Sequence, residues 1–241
     1  MQDRYAGDVG DFGKFSLLQA LHRGVEGRLG IVWYAVGDES HNADGRHITY
    51  RHKPSFRNLN DPLLQEISKV LDSKWSIAAL EKKLSLLGGA ALHSELVPLR
   101  EKDRGTWLSN ALARMRGCGV VFLNPDNGVS FDAVCGVKHA RCVEIDQFLA
   151  KAQLLMIYHH PGRNGSHNEQ IRTLLDRLGD NPRVKGAFAL RFRQGSSRAL
   201  LIASRSKATY RRARAAVEGF LQQGWQERGH FDEIMSTGNG D

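Results

Sequence analysis

Three polar stretches, each following a short apolar run, hold most of the side chains in this chain that can do acid, base or ligand-binding chemistry. Asn124-Pro125-Asp126-Asn127-Gly128 follows the buried-type run Gly119 to Leu123. His159-His160-Pro161-Gly162-Arg163-Asn164 follows Leu154 to Tyr158, and Gly37-Asp38-Glu39-Ser40-His41 follows Leu29 to Val36. A carboxylate at such a place activates or orients water, and an imidazole there protonates a leaving group, so Asp126, His159, His160 and Asp38 are the candidate catalytic residues. The amides of Asn124, Asn127 and Asn164, with His41 and Arg163, are the groups expected to contact substrate. Asp38, His41, Asp44 and His47 are competent metal ligands, but no spacing such as H-E-x-x-H joins them, and no metal is assigned.

Cationic stretches suggest what the substrate carries. The chain has 34 Lys and Arg against 26 Asp and Glu, a formal charge of +8, which favours a polyanionic partner. Near the start, Tyr5-Ala-Gly-Asp-Val-Gly-Asp-Phe-Gly-Lys14 reads as glycine-rich turns opening a helix at Lys14, with Asp8 or Asp11 as its cap. Backbone donors at a helix start beside Lys14 would receive a phosphate, so Lys14 and Asp11 join the substrate-contact group. Cations interleaved with aromatics in Tyr50 to Arg57 place Arg51 and Lys53 as phosphate contacts and the rings as base-stacking surfaces. Arg191 and Arg193 alternate along a strand-type run, and Arg211 lies on the last helical run; all three are further phosphate candidates.

Elements that must position these groups follow from periodicity. Strand-type runs at Leu29 to Val36, Val120 to Leu123 and Leu154 to Tyr158 alternate with helical runs. Parallel strands gather their C-terminal loops on one face, so three polar strand ends predict one composite pocket. A hairpin of Ala187 to Arg193 and Arg198 to Ala203, then the helix Lys207 to Gln223 and a strand in Trp225 to Ile234, close the chain. The expected fold is α/β, a three-layer Rossmann-like domain with a mainly parallel sheet, C-terminal antiparallel strands and a helical insertion at 60–90 in a single domain, 1–241. No stretch approaches 18 apolar residues and the N-terminus lacks signal-peptide character; a cytoplasmic protein without membrane contact is expected. Cys118, Cys135 and Cys142 have no disulfide or metal spacing and are expected to be reduced.

Two resemblances attach to these residues. The element order, above all the helix-fed strand leading to Asn124 and the terminal hairpin, helix and strand, is similar to the class I methyltransferase fold. In DNA amino-methyltransferases an Asn/Asp-Pro-Pro-aromatic loop contacts the target amino group; Asn124-Pro125 matches its first half, and Asp126-Asn127 replaces its second. Asp126 and His159-His160-Pro161 resemble the water-activating Asp loop and the His-Pro loop of uracil-type DNA glycosylases, which implies an Asp126 that orients water and a histidine that stabilises the departing base. The function expected is a nucleic-acid hydrolase acting on DNA or RNA, a DNA glycosylase needing no cofactor. The alternatives are an S-adenosylmethionine (SAM)-dependent nucleic-acid methyltransferase, with Asp38 or Glu39 holding the cofactor, a metal-dependent nuclease, and a noncatalytic nucleic-acid-binding protein.

Overall fold

A computed structural model describes residues 1–39, 47–73, 75–132, 135–163 and 165–235. Its strands are β1 (Arg28–Val32), β2 (Ala91–His93), β3 (Cys118–Leu123), β4 (Gly128–Ser130), β5 (His139–Arg141), β6 (Leu154–His159), β7 (Gly186–Phe192), β8 (Arg198–Ser204) and β9 (Phe231–Met235). The α-helices are α1 (Val9–Gly24), α2 (Asp61–Leu71), α3 (Ile77–Lys83), α4 (Glu101–Arg114), α5 (Cys142–Leu149), α6 (His167–Gly179) and α7 (Lys207–Phe220). Seven strands form one sheet in the order β2-β1-β3-β6-β8-β7-β9. Strands β2, β1, β3 and β6 are parallel, and β8, β7 and β9 add to them as antiparallel neighbours. Outside this sheet, β4 and β5 form a short parallel pair that local periodicity does not announce.

Alternation along the central strands builds three layers. Val120 and Phe122 of β3 point into one core with Phe12, Phe15 and Leu17 of α1, Ile67 of α2 and Val217 of α7. Val121 and Leu123 point into the other, with Trp107 of α4, Phe148 of α5 and Leu175 of α6. Every residue of β3 is buried, as a strand covered by helices on both faces requires. Each large apolar side chain so buried contributes about 1.5–3 kcal/mol, enough in sum to hold the polar loops at the strand ends in place. No described helix is long and apolar enough to cross a membrane.

Three local readings are corrected. The first helix begins at Val9, not Lys14, so Gly10 and Gly13 lie inside it and make no turn. They are there for close packing: a Cβ on Gly10 would stand 2.5 Å from Arg198 Nε, and one on Gly13 would stand 2.9 Å from the Phe192 ring. Two of the first donors of α1 are already used, since Val9 N–H goes to His47 O at 3.0 Å and Asp11 N–H to Asp8 Oδ1 at 3.0 Å. This leaves an acid-capped helix start where a phosphate cradle was expected. Tyr50 and Phe56 are also core residues, packed around Phe12, and offer no ring to a base. The final strand starts at Phe231, because Gly224 at φ +96° ends the helical run and Trp225 turns inward onto Phe220.

Candidate active site

A cleft of about 420 Å³ opens where β3 and β6 end, and its lining includes Asn124, Pro125, Asp126 and Asn127 from the first and Tyr158 and His160 from the second. The two loops are tied directly, His160 N–H donating to Asn127 O at 3.1 Å. The Asp126 side chain is 6% exposed and held on several sides: Gln2 Nε2 donates to its Oδ2 at 2.8 Å, Lys138 Nζ lies 3.7 Å from the same oxygen, and the Met1 nitrogen lies 3.5 Å from Oδ1. Lys138 reaches the cleft because Asn127 N–H bonds Lys138 O at 2.9 Å, which starts the β4 and β5 pair.

The two histidines separate in role. His159 does not line the cleft; its Nδ1 accepts the Val129 N–H at 3.1 Å, and Gly128, at φ +115°, leaves the room a Cβ would fill against its ring. Burial, with lesser contributions from the neighbouring His160 and His139, pushes its pKa down to about 4, so at neutral pH it is an uncharged acceptor that fastens the β4 strand. His160 stands exposed at the mouth of the cleft. Partial desolvation against the wall, then the nearby Arg198 guanidinium, hold its imidazole below the ordinary range.

Two buried ion pairs make the floor. Lys14 Nζ sits 2.6 Å from Asp11 Oδ1, donates to Asn124 Oδ1 at 3.4 Å and lies over the Tyr158 ring at 4.9 Å. Burial raises the pKa of Asp11, against the lowering effect of Lys14. Arg198, the first residue of β8, gives Nη2 to Asp8 Oδ2 at 2.6 Å and Nη1 to the carbonyls of Gln194 and Ser196. Asn124, 1% exposed, presents an Nδ2 that has no partner among the described residues. The lining holds four cations, Lys14, Lys138, Arg163 and Arg198, against the anions Asp8, Glu39 and Asp126, so the net +8 of the chain is not concentrated here.

The structure therefore brings together Asp126, His160, Asn124, Asn127, Lys14 and Arg163, with Asp11 immediately behind Lys14. Asp38 stays out of the lining, exposed and receiving the Arg4 N–H at 3.3 Å; Glu39 lines the cleft in its place, paired to Lys138 and Arg4. His41, Asp44 and Asn164 lie outside the described residues, and His47 lines the cleft. Among the expected phosphate contacts, Arg51 pairs with Asp72 at 2.7 Å, while Arg191 and Arg193 bind Asp232 at 3.1 and 3.3 Å. Arg211 is exposed on α7, outside the cleft, and Lys53 lines a smaller hollow of about 90 Å³ that shares His47 with it. Among the described residues no three His, Cys, Asp or Glu side chains converge as a metal site.

Asp8, Gln2, Lys138, Tyr158 and Arg198 complete the site without having been singled out for it from the sequence. Asp8 carried a signal, as a helix cap, but its second partner is 190 residues away, and nothing local to Arg198 marks it as a floor residue. Comparison of the chain with protein-family models, with curated proteins and with solved structures finds no match.

Proposed function

We propose that this cleft hydrolyses the N-glycosidic bond of a nucleotide unit in DNA or RNA. The reading rests on one observation: Asp126 and His160, leaving adjacent parallel strands, line the same cleft on loops joined by the His160 N–H to Asn127 O bond. A carboxylate held by Gln2 and Lys138 keeps its position when a sugar ring enters, and a carboxylate so fixed would stabilise positive charge developing at C1′. Water oriented by Asp126 adds to C1′, the C1′–N bond breaks with its electron pair passing to the base, and the water proton ends on the base nitrogen. His160, neutral because its pKa is lowered, donates a ring N–H to the leaving base as negative charge builds on it. Arg163, at the rim, has no ion pair among the described residues and serves as the phosphate contact. A base must leave its stack to enter such a cleft, at about a few kcal/mol, which favours mismatched or single-stranded positions.

Methyl transfer is the second reading, favoured by the order of β7, β8, α7 and β9, which preserves the element order of the methyltransferase resemblance. Asp38 and Glu39, the carboxylates that would hold a methyl donor, already have partners, the Arg4 N–H for Asp38 and Lys138 with Arg4 for Glu39, and no step is derived through that cofactor. Fold order by itself does not assign a reaction.

One assay separates the readings. The protein is incubated with single- and double-stranded DNA and RNA carrying natural and deaminated bases, and free base, abasic sites, strand breaks and methyl incorporation are read by mass spectrometry. Base release that Asp126→Asn lowers by about 10²-fold or more, with oligonucleotide binding retained, is the expected result. Methyl incorporation, strand breaks without base release, or binding without any product each overturns it.

A further inference from the structure

We propose that the small hollow beside the cleft is a second subsite, which takes the sugar and phosphate of the nucleotide next to the one in the cleft, so that the ligand is a strand held through consecutive units. The inference rests on the cleft being the seat of a nucleotide, as proposed above. Three parts of the chain pass from one depression to the other. At the start of α1, Asp8 lines the cleft and Val9 the hollow; between β7 and β8, Ser196 lines the cleft and Gly195 the hollow; and His47 lines both. One side chain, that of His47, therefore stands between the two. It is fixed there, since its carbonyl receives the Val9 N–H at 3.0 Å and its ring reaches Gly195, where an added Cβ would stand 3.3 Å from Cδ2.

The two depressions differ in charge. Among the cations of the cleft, Lys14 is paired with Asp11, Lys138 with Glu39 and Asp126, and Arg198 with Asp8. The hollow has the opposite balance: Lys53 is exposed, has no ion pair among the described residues, and no described acidic side chain lines the hollow beside it. An uncompensated ammonium, with the Thr49 hydroxyl and the Gln194 amide on the same lining, is a donor set for an anion. The hollow, about 90 Å³, is less than a quarter of the cleft and has room for a phosphate and part of its sugar. It offers a base nothing to stack on, because its aromatic walls, Tyr50 and Phe56, are 2% and 1% exposed. A phosphate in the hollow and a nucleotide in the cleft, one side chain apart, are neighbours on a strand. Arg163 lines the cleft alone, so it and Lys53 serve different phosphates.

The test uses a trinucleotide whose central unit alone carries a base, in versions with uracil, cytosine, adenine or guanine. Its outer units are abasic, so a single register places a base in the cleft. Either phosphodiester link, or both, is replaced by an uncharged methylphosphonate. Binding to the full chain is measured by calorimetry at low temperature, with the probe verified intact by mass spectrometry. For a version that binds, neutralising one particular link is expected to weaken binding by about tenfold. Lys53→Met, a change at an exposed side chain, is expected to weaken the natural probe by the same factor, to lose its response to that link and to keep its response to the other. The probe with both links neutral is expected to bind the two proteins equally. A link response that Lys53→Met leaves intact, a Lys53→Met loss that is equal for charged and neutral probes, or binding indifferent to both links overturns the inference and leaves the hydrolysis reading standing. Binding of no version overturns the nucleotide reading and the inference together.

Discussion

Gly10→Ala is expected to destabilise the protein although it replaces glycine with the best helix former inside a helix. On propensity alone the change stabilises by about 0.8–1 kcal/mol. The new Cβ, however, would stand 2.5 Å from Arg198 Nε and 2.6 Å from its Cζ. The guanidinium cannot swing aside, because it holds Asp8 at 2.6 Å and the carbonyls of Gln194 and Ser196 at 2.9 and 3.3 Å. Displacing it leaves a buried Asp8 uncompensated, which costs about 3–5 kcal/mol, so the net loss is about 2–4 kcal/mol. The assay is equilibrium urea unfolding, compared through the midpoint at constant m. Gly105→Ala serves as the control: it lies in α4 with nothing within 4 Å of an added Cβ, and it is expected to gain up to about 1 kcal/mol. In an Asp8→Asn/Arg198→Ala background, where no side-chain atom remains at the Cδ, Nε and Cζ positions that crowd the new Cβ, Gly10→Ala is expected to cost less than about 1 kcal/mol. A Gly10→Ala midpoint at or above that of the unaltered protein, or an equal cost in both backgrounds, refutes the reasoning.

Other expectations follow from the same geometry. Glu144, buried, receives Arg104 Nε at 2.6 Å, Tyr34 Oη at 3.0 Å and the Arg141 N–H at 3.1 Å, so Glu144→Gln leaves Arg104 unpaired and is expected to lower Tm by on the order of 10 °C by calorimetry. His159 has a folded pKa of about 4 against an ordinary 6.5, so the unfolded chain takes up its proton first as pH falls. Stability is therefore expected to be full above about pH 6.5 and to decline toward pH 4. His159→Gln, measured by urea midpoints at pH 7 and pH 5, is expected to flatten that decline; an unchanged pH slope would show that His159 is not its source. Arg163→Ala is expected to weaken oligonucleotide binding and reduce its salt dependence by about one counterion, whereas Arg191→Ala, whose guanidinium is committed to Asp232 and Asn168, is expected to leave both unchanged in fluorescence anisotropy titrations.

How the arginines divide shows where sequence reading stops. Alternation in Arg191 and Arg193 marks a strand face correctly, yet the use of those cations depends on Asp232, which arrives from β9 some forty residues later. Glycines 7, 10 and 13 read as turns because glycine permits turns, but only Gly7, at φ +84°, has a positive φ. The other two are glycine because Arg198 and Phe192 occupy the space a side chain would need, a reason that exists only once the chain is folded. Likewise the aromatics of Tyr50 to Phe56 have the spacing of a stacking surface and the burial of a core.

By itself the sequence determined the α/β architecture, the central strands and the place where their polar ends collect. Apolar periodicity and strand-end polarity are local properties, and hydrophobic burial turns them into layers without reference to any particular partner. Tertiary structure alone decided which residues make the site: that His160 lines it while His159 braces β4, that Glu39 enters and Asp38 does not, and that Asp8, Lys138 and Arg198 take part. It also decided the polarity of Asn124, since an amide offers donor and acceptor equally until a fixed charge claims one of them. Charges act over a few ångströms irrespective of sequence separation, so their pairing became legible only when the fold had set those distances.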